Sequence, residues 1–191
     1  MEISNRELWT VIHGMAFGAL FLLAFGGGLA GLYSLRPAWV TQEGLRERMI
    51  RLKIGMWLMA LVAWATVLSG TYLVYPWYRA APPEGTAELA AESSSLPGAS
   101  NPLAAYPRSL LLSSESTKLW HEFGMEWKEH VGWIAPIAAT VAAAVVMTYG
   151  ERLASLPAVR RAVLWFFVVA FATAGVAGLF GALINKVAPV R

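Results

Sequence analysis

Along the chain, apolar side chains gather into four runs, 8–33, 54–75, 131–149 and 162–184, separated by polar stretches. A hydrocarbon core roughly 30 Å thick takes about 20 helical residues to cross, and each run is close to that length or longer. Lipid offers no partner to a free backbone N–H or C=O, so a spanning segment must be a helix or belong to a closed barrel. Runs without period-two alternation exclude barrel strands. The pattern predicts an all-α fold: an integral membrane up-down-up-down four-helix bundle, with 1–191 as a single transmembrane domain.

Segment 76–128, between the second and third runs, breaks this pattern. Its first half holds Pro82, Pro83, Gly85, Ser93, Ser94, Ser95, Pro97, Gly98, Asn101 and Pro102, and reads as irregular. From Ser113 or Ser114 the periodicity becomes helical. A serine cap and Glu115 precede Leu119, Trp120, Phe123 and Trp127, predicting an amphipathic helix that runs into the third span. Such a helix suits an interfacial anchor or a docking site for an extrinsic partner.

Composition sharpens the class. The 191 residues are 57% hydrophobic and only 14% charged, against about 25% charged in soluble proteins, which leaves no room for a soluble domain. Ahead of the first run stand Glu2, Arg6 and Glu7 with no small-residue cleavage site, so the first helix is expected to be retained. The chain has no cysteine, which excludes disulfides, thiolate metal sites and covalent haem attachment.

Charge sets an orientation. Arg36, Arg46, Arg48, Arg51 and Lys53 crowd the link between runs one and two, while Arg152, Arg160 and Arg161 occupy the link between three and four. Positive charge on short links marks the cytoplasmic side, so both termini and the long loop are expected on the outer, periplasmic face of a cytoplasmic membrane. The net charge of +3 then belongs to links that meet anionic headgroups of the lipid bilayer, and no nucleic acid is implied.

Close packing is expected from small residues. Helix one carries Gly26, Gly27, Gly28, Ala30 and Gly31, and helix four carries Ala174, Gly178 and Ala182 at four-residue spacing. Continuing that second row by one turn leads to Asn185, with Lys186 beside it. On helix two, Thr66, Ser69 and Tyr72 share a face that ends near Tyr75 and Tyr78. None of the four runs shows the midplane interruption of a transporter.

Candidate chemistry centres on two histidines. His13 stands about 30 Å along its helix from Tyr33, and His130 about 28 Å from Tyr149, so the pair shares one level near the outer face. Helices one and three lie diagonally in such a bundle, and neutral imidazole is a good iron ligand. Gly14, Gly18, Gly70 and Gly132 are candidates to make room for a macrocycle. Glu126, one turn before His130, can fix its tautomer or relay protons. A cysteine-free helical membrane bundle with histidines paired across it resembles the four-helix b-type cytochromes. That resemblance implies haem b ligated by His13 and His130, and electron exchange with quinone or a partner protein. Tyr72, Tyr75, Asn185 and Lys186 would border the pocket and bond to a visiting quinone.

No nucleophile elbow, phosphate loop or zinc-protease motif occurs, and the chain contains no aspartate, so hydrolytic chemistry is not expected. The alternative expectation is a cofactor-free accessory subunit. Its nine tryptophans and its outer helix would dock onto a larger respiratory or photosynthetic membrane complex.

Overall fold

A computed structural model describes residues 3–36, 41–96 and 98–190, and Glu2 and Pro97 lie outside them. The described residues contain helices and no strand. Among the described residues, four helices are long and apolar enough to cross a membrane: α1 (Asn5–Ser34), α2 (Gln42–Tyr78), α5 (Glu115–Ala154) and α6 (Pro157–Val187). Two short helices, α3 (Thr86–Ser94) and α4 (Pro107–Leu112), lie between α2 and α5.

The helices start where local chemistry permits. Ser4 and Glu7 form a reciprocal capping box at α1, with Ser4 N–H donating to Glu7 over 2.8 Å. Thr41 Oγ1 accepts from Gly44 N–H at the start of α2, and Pro157 opens α6 where its missing N–H costs nothing. At α5 the start matches the sequence reading but the capping bond does not: Ser114 is extended, and its hydroxyl bonds to Ser116 over 2.9 Å. Segment 76–112 also departs from expectation, because α3, a 3-10 turn at Pro102–Ala105 and α4 occupy much of it. Gly85, at φ 80°, makes the turn into α3.

Neighbouring long helices run antiparallel. His13 on α1 meets Ser69 on α2, while Gly31 meets Leu52 further along. Trp64 Nε1 donates to Thr140 Oγ1 over 3.0 Å between α2 and α5, and Lys53 reaches Gly150. Gly124 faces Ile184 and Phe180 on α6. Phe25 of α1 stacks on Phe167 and Phe171 of α6 at 4.7 and 4.0 Å. The order round the bundle is therefore α1, α2, α5, α6, with α1 and α5 on a diagonal.

Apolar packing forms two separate cores. The larger includes Phe21, Met56, Met59, Ala139, Ala142, Val146, Phe167 and Ala170 and extends to Leu35 and Leu153 at the end with the short links. Tyr78, Leu111, Met125, Ile184, Ala188 and Val190 make the smaller core at the opposite, or cap, end.

Small residues serve closeness at fewer places than expected. A Cβ on Gly28 would lie 2.6 Å from Phe167 Cζ, so that glycine is a true contact point, whereas Gly26 and Gly27 have nothing within 4 Å. On α6, Gly178 and Ala182 are exposed, and Gly181 is the residue that faces inward.

Candidate functional site

Between the two cores lies a layer of polar side chains. His13 belongs to a π-helical turn at Ile12–Ala16, and its Nδ1 stands 3.2 Å from Ser69 Oγ. Ser69 donates its single hydroxyl hydrogen to the Thr66 carbonyl over 3.1 Å, so the imidazole Nδ1–H is the donor to Ser69. Nε2 therefore keeps its lone pair. The ring fills the space beside Gly70, where a Cβ would sit 2.6 Å from Cε1.

Lys128 and Glu129 enter this layer from α5. Lys128 Nζ rests against α6 at Gly181, 2.9 Å from the position of a missing Cβ. Its charge acts on His13 and, with opposite sign, on Glu129. No carboxylate lies within ion-pair range of Lys128 Nζ among the described residues. Glu129 Oε1 is buried without a hydrogen-bond donor. A half-buried ammonium and a buried carboxylate oxygen, neither fully compensated, are expensive in a low-dielectric interior.

From Glu129 the polar side chains continue toward the cap. Its carboxylate faces the Tyr75 hydroxyl and lies within electrostatic reach of Tyr78. Tyr78 Oη and His121 Nδ1 are 2.8 Å apart, and Arg108 Nε donates to His121 Nε2 over 3.3 Å. A guanidinium only donates, so Nε2 of His121 accepts and its Nδ1–H must donate to Tyr78. The Tyr78 hydroxyl hydrogen is left free to turn elsewhere.

Three of the four long helices carry a π-helical turn near this layer, at Ile12–Ala16, Gly70–Val74 and Trp120–Met125. Each inserts an extra residue into the helical register, a distortion that recurs at functional sites. Helix α5 is broken again at Gly132–Trp133, just ahead of Pro136, whose ring nitrogen cannot donate to the preceding turn. These distortions lie toward the cap end of helices that each run on as one long element.

The residues singled out in the sequence divide sharply. His13 faces inward, and Tyr75 joins the same layer. His130 is exposed, on the stripe Glu126, His130, Ile134 and Ile137 that looks away from the bundle. Its Nδ1 donates to the Glu126 carbonyl over 2.8 Å, with Glu126 Oε2 at 3.9 Å. Tyr72 is 68% exposed, and Asn185 and Lys186 are exposed as well. Asn185 lines a separate cleft with Glu7, Thr10, Val11, Pro189 and Val190.

A haem held between His13 and His130 does not fit this arrangement. Both histidines keep a lone pair on Nε2, but one lies inside the bundle and the other on its outward face. The glycines expected to make room are otherwise engaged: Gly70 is filled by the His13 ring, Gly132 abuts the Lys128 carbonyl, and Gly14 and Gly18 face open space.

Lys128 and Glu129 were given no role in the sequence reading, although a signal for them existed. Tracing the small residues of helix three backward, from Val146 through Ala142, Ala139 and Ala135 to Gly132, continues at helical spacing to Lys128 or Glu129, then Met125 and His121. That row is the inward face, buried from Val146 to Gly132 and at Met125 and half-buried at Lys128, Glu129 and His121. Comparison of the chain with protein-family models, curated proteins and solved structures finds no match.

Proposed function

We propose that the protein is a membrane-integral subunit of an electron-transfer assembly, and that its own contribution is a quinone-type site at His13, Lys128 and Glu129. The observation that carries this reading is the polar layer itself, with an ammonium, an unpartnered carboxylate oxygen and an imidazole lone pair between two apolar cores. Ionisable groups at membrane depth are costly and mark functional sites by default.

The chemistry suits a ligand that exchanges carbonyl for hydroxyl oxygens. Lys128 donates to a quinone carbonyl. His13 Nε2 and Glu129 Oε1 accept from the hydroxyls of the reduced form. Reduction of a quinone to its diol takes two electrons, supplied by a redox partner in the assembly, and two protons. The larger core closes the layer toward the short links, so Tyr75, Tyr78 and His121 offer the proton route toward the cap. With the basic links in the cytoplasm, that route opens on the outer face.

Purified protein in detergent, titrated with a short-chain benzoquinone and followed by tryptophan fluorescence, tests this. Saturable quenching is expected, and Lys128→Met and Glu129→Gln should each weaken it at least tenfold. Removing the half-buried ammonium should leave thermal stability unchanged or raised, because an apolar replacement avoids the desolvation cost. Absence of saturable binding by the wild type would overturn the site and favour the cofactor-free accessory subunit. A reduced-minus-oxidised b-type spectrum abolished by His13→Ala and His130→Ala would instead favour haem.

A further inference from the structure

At the opposite end of the bundle, the lipid-facing side of α2 and α5 is not smooth. A groove of about 410 Å³ is lined by Ile50, Lys53, Ile54, Trp57, Leu58, Leu61 and Met147. By a rise of 1.5 Å per residue, the stretch beyond Lys53 from Ile54 to Leu61 is about 10 Å long, which suits the upper part of one acyl chain. The lining is apolar except at Lys53, one turn in from Ile50 at the end nearest the short links.

Lys53 is half-buried and makes no hydrogen bond or ion pair to the described residues, although its Nζ lies close to Gly150, 3.6 Å from where a Cβ would be. Arg51, two residues earlier, is paired with Glu47. Arg46 stands seven residues before Lys53, two turns further toward the link end on the same helix face, and is exposed. Trp57, one turn beyond Lys53 and 40% exposed, has the amphipathic ring that favours the headgroup level. A single unpaired ammonium at the mouth of a one-chain apolar groove is complementary to a lipid with an anionic headgroup.

We infer that this groove binds one anionic phospholipid, its phosphate on Lys53 with Arg46 nearby and one acyl chain along Ile54, Leu58, Leu61 and Met147. Zwitterionic lipids fill the groove without selectivity, because their ammonium is repelled by the same lysine. The site lies at the opposite end of the bundle from His13 and Lys128, so it stands or falls separately from the quinone reading.

Native mass spectrometry of the purified full chain, titrated with equal amounts of phosphatidylglycerol and phosphatidylcholine, reads the outcome. The wild type is expected to retain one phosphatidylglycerol in preference. Lys53→Gln should lose that preference roughly fivefold, as for one cationic contact at a membrane surface. Arg161→Gln, the same charge change on the other link, should keep it. Leu58→Trp, which fills the groove while keeping Lys53, should release both lipids with helix content unchanged. Equal retention of the two lipids by the wild type overturns the proposal, as does an equal loss in Lys53→Gln and Arg161→Gln. Disulfide-linked dimers formed in bilayers by Leu58→Cys would also overturn it, by assigning the groove to a second copy of the chain.

Discussion

Gly70 sets the seat of His13. The imidazole occupies the volume a side chain at Gly70 would take, at 2.6 Å from Cε1 and 3.2 Å from Nε2, so even a methyl group must push the ring off Ser69. Gly14, the neighbour of His13 on α1, has open space beside it. Gly70→Ala is therefore expected to lower stability by about 1–3 kcal/mol, the usual cost of overpacking. Gly14→Ala should be neutral or gain up to about 1 kcal/mol from helix propensity. Thermal unfolding of both variants in one detergent checks the contrast, and equal melting temperatures would mean that His13 is not seated there. Height was legible at this scale, since 1.5 Å per residue places His13 near the cap end of its helix without any structure. Angle was not. A rotation of 100° per residue separates His130 from Glu129, and only the buried row leading back from Ala135 tells which of the two looks inward.

Elements account for most of the remaining difference between expectation and structure. Four long apolar helices were readable from run length, because the hydrocarbon thickness is a fixed ruler. The π-helical turns were not readable, since Ile12–Ala16 and Gly70–Val74 contain no residue that forbids an ordinary helix, and tertiary packing selects them. At the link end the ends of α1 and α5 are tied by one side chain from a third element. Arg160 Nη1 on α6 donates to the Leu35 carbonyl and lies 3.2 Å from that of Ala154 and 3.5 Å from that of Leu153. These are helix-terminal carbonyls, negative by the helix dipole, so a fixed cation there stabilises two helix ends at once. Arg160→Met should cost about 1.5–3 kcal/mol, the range for hydrogen bonds to a charged group. Arg160→Lys should recover only part of that loss, because an ammonium cannot reproduce the planar fork. Chemical unfolding in mixed micelles measures both losses, and an unchanged midpoint for Arg160→Met would show that the tie contributes nothing.

The whole molecule is polarised along its long axis. One end holds the short links, Arg160 and the larger apolar core; the other holds the polar layer, the smaller core and the segment with α3 and α4. If Lys128, Glu129 and His13 exchange protons with water, the larger core directs that exchange to the cap, so the sidedness of the bundle in the bilayer decides which compartment is served. Basic residues on the two links predict that the cap faces outward. The absence of native cysteine makes this measurable, because any single introduced thiol is the only one present. Ser93→Cys, near the end of α3, and Ser155→Cys, between α5 and α6, sit on half-buried and exposed polar positions at opposite ends. In intact cells or right-side-out vesicles, a membrane-impermeant maleimide should label Ser93→Cys at once and Ser155→Cys only after permeabilisation. The reverse pattern would turn the protein over, and any protons handled at His13 and Lys128 would then be drawn from the cytoplasm.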